Sequence, residues 1–170
     1  MKRYKKDQEY LSIIDNIMEN EEFKQMDKIK HHNTTRMNHL IKVSYGSYKV
    51  AKLFNLDYKD VARGGLLHDF YTEEVDKCDS IKDKLLLFST KHPENAVDNA
   101  VRNFELSEKE INIIKTHMFP IDYRVPKYAE SWIVSIVDKV VSFTEFGKKF
   151  RYSLTYAINL YLLFILNVLK

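Results

Sequence analysis

The sequence predicts a single all-α domain, and three observations lead to that prediction. The chain has 170 residues, of which 45% are hydrophobic and 30% charged, a balance typical of a globular protein with one substantial core. Only four Gly and three Pro are present, so few positions favour tight turns. Apolar residues recur at three- and four-residue spacing, and no alternating run is long enough to predict a sheet.

Two amphipathic helices are predicted at the start of the chain. The first places five apolar side chains at helical spacing: Tyr10, Ile13, Ile14, Ile17 and Met18. The second follows the N-cap candidates Thr34 and Thr35 and gathers on one face Leu40, Ile41, Ser44, Tyr48 and Ala51. Asp57 can cap a third helix, which carries His68 and Asp69 near its C-terminal end.

The middle of the chain predicts a connection and then a fourth helix. Residues 72–80 are polar and are expected to form the connection, and a short apolar run from Ile81 to Phe88 leads to His92 and Pro93. Because Pro suits the first position of a helix, we expect a helix to begin at Pro93.

Two further helices are predicted towards the C-terminus. Ser107 and Glu110 have the spacing of a capping box, so they predict the start of a helix that contains His117. Pro120 and Pro126 bracket a loop before a helix from about Ala129 to Gly147, whose apolar residues surround Asp138.

The most hydrophobic stretch, residues 153–169, carries no charge and is flanked by Lys148, Lys149, Arg151 and Lys170. It is just short of the roughly 18 residues that make a membrane span a serious candidate, and two asparagines interrupt it. We expect a buried or a dimer-forming helix, the second of which would give a homodimer through the C-terminal helix, with membrane association as the alternative.

The composition also limits which cellular compartment and which binding partners can be expected. A single cysteine, Cys78, excludes an intramolecular disulfide, and no export signal is visible at the N-terminus, so we expect a cytoplasmic protein. The net charge of +3 is too small to predict non-specific nucleic-acid binding.

Three predicted helices place a His or Asp among apolar residues, in the strings RMNHLIKV (36–43), GLLHDFY (65–71) and IVDKVVS (136–142). Burying such a group costs several kcal/mol unless it is hydrogen-bonded, ion-paired or metal-bound. An isolated buried His is more often a hydrogen-bonded core residue. The adjacent His68 and Asp69 favour a cation instead, since imidazole and carboxylate are ligands for transition metals and a carboxylate can bridge two ions.

The ordered set His39, His68-Asp69 and Asp138 resembles the H…HD…D signature of the HD superfamily of metal-dependent phosphohydrolases. VARGGLLHDF resembles the run that precedes the HD pair there, and VDKVVS resembles the surroundings of the final Asp. The resemblance implies an HD-type helical bundle over residues 1–170. Its parts would be an N-terminal helical extension (1–30), a core (31–147) and a hydrophobic C-terminal helix (148–170).

His92 and His117 lie in the interval where two-metal members of the superfamily carry extra ligands. The resemblance implies that His39, His68, Asp69 and Asp138 hold one ion and His92 and His117 the other, with Asp69 bridging. The alternative is that His92 is a helix N-cap and His117 a residue favoured by the helix dipole. His31 and His32 match no ligand position.

The six-ligand pattern is nearest to bacterial HD-type diadenosine tetraphosphate hydrolases. No Lys lies shortly after the HD pair, where residues 70–74 read FYTEE, and no Gly-Tyr-Pro motif is present, which argues against cyclic dinucleotide phosphodiesterases. The resemblance thus implies one or two divalent ions (Fe, Mn, Zn, Ni or Co). It also implies hydrolysis of a phosphate ester or phosphoanhydride, with a nucleotide or dinucleotide as substrate, by attack of a metal-bound water that Asp69 orients.

Six cationic residues near these ligands are candidates for holding phosphate oxygens, although a Lys or Arg taken singly is more often a solvated side chain. They are Arg36, Lys42, Lys91, Lys115, Arg124 and Lys139. Two other functions stay open. One is an HD-type di-iron oxygenase, with Tyr71 and Tyr123 as pocket residues for either chemistry; the other is a non-catalytic binding module, with or without a stabilising metal.

Overall fold

The structure is a computed structural model, and it describes residues 3–31, 34–71 and 81–147. Its helices are α1 (Gln8–Glu19), α2 (Glu21–Lys24), α3 (Arg36–Leu53), α4 (Tyr58–Leu67), α5 (Ile81–Asn103), α6 (Glu108–Thr116) and α7 (129–147). Short 3-10 turns occupy Tyr4–Lys6 and Gln25–Asp27. Within these ranges the extended structure is limited to one antiparallel pair of two-residue strands, Lys30–His31 and Thr34–Thr35. The predicted all-α single domain is confirmed.

Three predicted helix starts are confirmed by their caps. The side chains of Thr35 and Asp57 each accept a hydrogen bond from the backbone N–H three residues later, at the first turns of α3 and α4. At α6, Ser107 Oγ accepts from the N–H of Glu110 at 3.0 Å, while a carboxylate oxygen of Glu110 accepts from the N–H of Ser107 at 2.8 Å. This is the reciprocal capping box that the sequence predicts.

The predicted helix start at Pro93 is wrong. Helix α5 begins at Ile81, and Pro93 lies in its interior, where it cannot donate the backbone hydrogen bond of a regular helix. In the turn before Pro93, the carbonyl of Thr90 accepts a hydrogen bond of 2.6 Å from Nη2 of Arg124. Arg124, from a distant loop, therefore binds the backbone next to the carbonyl of Ser89, which is the one that loses its helical donor at Pro93.

The core forms where α4 passes between α3 and α6. A Cβ added to Gly64 would lie 2.9 Å from Cγ2 of Ile113, and one added to Gly65 would lie 3.1 Å from Cα of Ser44. The two glycines thus allow α4 to approach both neighbouring helices closely. Helix α1 packs against the same core through Tyr10, Ile14 and Ile17.

Several expectations concern residues outside the described ranges. These are the polar connection at 72–80, the uncharged run at 153–169 with its membrane or dimer role, and residues His32 and Cys78. Among the helices that the structure describes, none has both the length and the apolar character needed to cross a membrane.

Candidate metal centre

Five helices bring the six predicted ligand residues into one buried region. None of the six is more than 8% exposed. They are His39 on α3, His68 and Asp69 just after α4, His92 on α5, His117 just after α6, and Asp138 on α7. The ordered motif of the sequence therefore corresponds to one cluster in space.

The first group of ligand atoms comes from His39, His68, Asp69 and Asp138. The ligand atoms of the first three lie within 4.8 Å of one another. Asp138 Oδ1 lies 3.1 Å from His39 Nε2 and 3.7 Å from His68 Nε2. His68 Nε2 lies 3.8 Å from Oδ2 of Asp69. Two imidazoles and two carboxylates thus face a common point.

The second group consists of His92, His117 and the same Asp69. The Nε2 atoms of His92 and His117 are 3.0 Å apart, and each lies 3.4 Å from Oδ1 of Asp69. This geometry disagrees with a helix N-cap role for His92, because His92 lies inside α5 with its ring against His117. The second group therefore shares one carboxylate with the first.

The end of α4 explains how two adjacent residues face the same centre. Helix α4 stops at Leu67, and a turn follows in which the N–H of Phe70 donates to the carbonyl of Leu67 at 3.0 Å. The N–H of Tyr71 then donates to the carbonyl of Asp69 at 2.9 Å. In a continuing helix, neighbouring side chains point in directions about 100° apart, so this turn is what lets His68 and Asp69 converge.

Backbone carbonyls fix the orientation of two of the imidazoles. His68 Nδ1 donates to the carbonyl of Gly65 at 2.8 Å, and His117 Nδ1 donates to the carbonyl of Ile114 at 2.7 Å. Since a carbonyl can only accept, Nδ1 must carry the proton in both rings. The neutral tautomer then leaves the Nε2 lone pair directed into the cluster, as in histidines that bind metals.

Glu145 is a residue of the site that the sequence reasoning missed. Its Oε2 lies 3.1 Å from Nδ1 of His39, and its Oε1 accepts a hydrogen bond from Nζ of Lys42. The signal was present in the spacing, because Glu145 follows Asp138 by seven residues and therefore lies two turns along the same face of α7. Glu145 orients the His39 ring as the carbonyls of Gly65 and Ile114 orient the other two.

The electrostatics keep the carboxylates ionised. Burial raises the pKa of Asp69, but the imidazoles of His68, His117 and His92 outweigh it and hold the pKa well below the usual range. Burial also raises the pKa of Asp138. The hydrogen bond from His39 and the nearby imidazole of His68 outweigh burial and hold that pKa below its usual range. For His39, burial lowers the pKa, and the hydrogen bonds to Asp138 and Glu145 more than offset it, raising the pKa to about 9.

The residues fit a divalent transition-metal ion. His68 Nε2 and Asp69 Oδ1 are both buried and make no hydrogen bond to any residue that the structure describes. Buried polar atoms without a partner are rare in folded proteins, and each one calls for a specific explanation. Imidazole nitrogen and carboxylate oxygen form a donor set that suits zinc, iron, manganese, cobalt or nickel. The two clusters could therefore each hold a metal ion.

Comparisons with known proteins find no relative. No family model matches the chain, and no curated protein or solved structure is significantly similar to it.

Arg36 is the predicted cationic residue that lies beside the cluster. It precedes His39 by one turn of α3, and its guanidinium carbon lies 4.0 Å from the centre of the Tyr71 ring. The Tyr71 ring is in turn 5.4 Å from the ring of His92. Arg36 Nη1 donates to the carbonyl of Tyr71, while its buried Nε finds no hydrogen-bond acceptor within residues 3–31, 34–71 and 81–147.

Lys139 supports the backbone of the site. Its Nζ donates to the carbonyl of His117 at 2.8 Å and to Ser135 Oγ at 3.0 Å, and burial lowers its pKa. Ser135 Oγ donates to the same His117 carbonyl at 2.8 Å. Lys139 and Ser135 thus tie α7 to the end of α6.

The other cationic candidates are arranged differently. Lys42 pairs with Glu145. Arg124 pairs with Asp122 and Glu94 in addition to its bond to the Thr90 carbonyl. The side chains of Lys91, Lys115 and Tyr123 are exposed.

Proposed function

We propose that this chain is an HD-type, metal-dependent hydrolase of a phosphate ester or phosphoanhydride, with nucleotides or dinucleotides as its substrate class. One observation carries the proposal: the two carboxylate oxygens of Asp69 face two different histidine groups, Oδ2 towards His68 and Oδ1 towards His92 and His117. A carboxylate that faces two cation sites can bridge two ions, and two ions held about 4 Å apart can stabilise the attacking and the leaving oxygen of phosphoryl hydrolysis.

The division of ligands follows from the two groups. His39, His68, Asp69 and Asp138 would hold one ion, and His92, His117 and Asp69 the other. Such ions supply Lewis acidity towards phosphoryl oxygens and lower the pKa of water. The protein then needs no covalent nucleophile.

Groups of this chain would set the charge of the site and orient its ligand side chains. Asp69, kept ionised by its imidazole neighbours, can accept a hydrogen bond from a water and orient it. Glu145 and the carbonyls of Gly65 and Ile114 keep the imidazole rings in place. Because the imidazole rings are already oriented, less entropy is lost when the reacting groups are brought into position.

The position of Arg36 supports the proposal that the substrate is anionic. A buried guanidinium whose Nε has no acceptor in the described part of the chain is a strong donor to a phosphate oxygen, since charge-assisted hydrogen bonds are about twice as strong as neutral ones. Its neighbour Tyr71 is only 5% exposed, and its ring contacts both Arg36 and His92. These two residues would hold the phosphoryl group on the His92 side of the centre.

The experiment is a substrate screen on protein loaded with manganese or cobalt. The panel contains diadenosine tetraphosphate, nucleoside mono- and triphosphates, and p-nitrophenyl phosphate. The wild type should hydrolyse at least one of them. Asp69→Asn should lower the rate by on the order of 100-fold or more with helical content retained. The exposed Asp98, on α5, gives a matched control, and Asp98→Asn should keep full activity.

Three outcomes would overturn the proposal. One is equal hydrolysis by wild type and Asp69→Asn. Another is retained iron with oxygen-dependent turnover and no hydrolysis, which would assign the centre to an oxygenase. The third is a wild type that is inactive on the whole panel while Asp69→Asn loses its metal and its helical content, which would assign a structural metal site.

A further inference from the structure

Helix α7 carries an apolar stripe on the side that faces solvent. Trp132, Ile136, Val140 and Phe143 are 39%, 56%, 58% and 77% exposed. Their spacing of four, four and three residues places them on one face of the helix. We call these four residues the α7 stripe.

The opposite side of α7 is already used by the fold. Val134, Val137 and Val141 pack against the cluster formed by α3, α4 and α6, and Asp138 points into the candidate metal centre. Helix α7 is therefore apolar on two sides. A helix with that pattern is normally covered on both sides, and exposed apolar patches of this kind mark contact surfaces.

We propose that the α7 stripe is the docking face for residues 153–169 of the same chain. This run, SLTYAINLYLLFILNVL, contains no charged residue, and the α7 stripe contains none either. Placing one against the other removes both from water without burying a charge.

The number of residues after α7 is sufficient for residues 153–169 to fold back along the α7 stripe. The five residues 148–152 would be enough for a connection, since two antiparallel helices are joined by two to five residues. In helical form the 17-residue run would be about 26 Å long, and the α7 stripe spans about 17 Å, at 1.5 Å per residue. The run can therefore cover the whole stripe.

The tether also favours this segment over a second copy of the chain. A short connection gives the attached segment an effective concentration in the millimolar range. A second copy at micromolar concentration would have to compete with it. The intramolecular contact should therefore form first.

The test compares aspartate substitutions in the full-length protein. On an uncovered surface, Ile136→Asp and Phe143→Asp should be close to neutral. If the run covers them, each should lower Tm by about 4 °C or more. Each should also speed limited chymotrypsin cleavage within residues 153–169 by about tenfold or more. Leu53→Asp, at an 80% exposed position at the end of α3, is the matched control and should change neither quantity.

The single tryptophan of the chain gives an independent readout, because Trp132 belongs to the stripe. Acrylamide, a neutral quencher, should quench it weakly in the wild type and strongly in Ile136→Asp. The triple variant L162D/L163D/F164D should expose Trp132 in the same way without a change in α7. Light scattering should give a monomer mass for the wild type.

Three results would overturn the proposal. The first is neutral behaviour of both stripe variants. The second is Trp132 shielding that appears only with a dimer mass, which would assign the stripe to a second copy. The third is shielding that appears only when anionic phospholipid vesicles are added, which would assign it to a membrane surface.

Discussion

Oε2 of Glu145 lies 3.1 Å from Nδ1 of His39, across the contact between α7 and α3. The other carboxylate oxygen of Glu145 binds Lys42, and Nε2 of His39 lies 3.1 Å from Asp138. Four side chains therefore form a continuous series from the protein surface to the centre of the cluster. Its effect is to fix the His39 ring with one nitrogen towards the candidate metal position.

Glu145→Gln tests this positioning role. The amide keeps the size of the side chain but removes the charge that orients His39, so affinity for Mn²⁺ or Zn²⁺ should fall by about 10- to 100-fold. Isothermal titration measures the affinity, and circular dichroism checks that the helices remain. Glu105→Gln, at an exposed position, should leave the affinity unchanged. Equal affinity in Glu145→Gln and the wild type would remove Glu145 from the site.

The two ligand groups predict different losses for the two aspartates. Asp69 takes part in both groups, so Asp69→Asn should weaken both ions. Asp138 lies with His39 and His68, so Asp138→Asn should weaken one ion and leave the group of His92 and His117 able to bind. Elemental analysis after desalting gives the number of ions per chain. Identical loss in both variants would contradict two separable groups.

The raised pKa of His39 predicts the pH dependence of metal binding. With a pKa of about 9, His39 carries a proton at neutral pH, and a cation must displace that proton to bind. Affinity should therefore rise as pH rises, by about tenfold per pH unit for each proton displaced. Titrations in buffers of different ionisation enthalpy count the protons released. An affinity that stays constant between about pH 6 and about pH 8 would contradict this account.

The close approach of α4 and α6 predicts an asymmetric effect of two Gly→Ala substitutions. At Gly64 the added methyl would meet Ile113 at 2.9 Å, so Gly64→Ala should lower the free energy of unfolding by about 1–3 kcal/mol. At Gly147 nothing lies within 4 Å of the added methyl, and Gly147→Ala should be neutral or stabilising by up to about 1 kcal/mol. Urea denaturation measures both. A destabilised Gly147→Ala with a neutral Gly64→Ala would show that these helices do not pack as described.

Local rules predicted the helices wherever the determining residues are close in sequence. Thr35, Asp57 and Ser107 each bond within their own first turn, so a short window of sequence contains all the necessary information. Pro93 misled the same reasoning, because α5 continues through it, and the α6 residues on which α5 packs lie outside the local sequence window.

The cluster was predictable for a different reason. A His or Asp inside an apolar helix needs a partner, and the order of His39, His68, Asp69, His92, His117 and Asp138 suggested a common one. The hydrogen-bond acceptors that orient the ligand side chains could not be predicted from the sequence. The carbonyls of Gly65 and Ile114 are backbone groups that every residue possesses, so no side chain signals their role.

The most direct test of the central claim is anomalous diffraction from crystals of the full chain grown with Mn²⁺. The account predicts peaks bonded to Nε2 of His39 and His68 and to Nε2 of His92 and His117, with a carboxylate oxygen of Asp69 on each. Manganese located elsewhere, or no peak within bonding distance of Asp69, would contradict it.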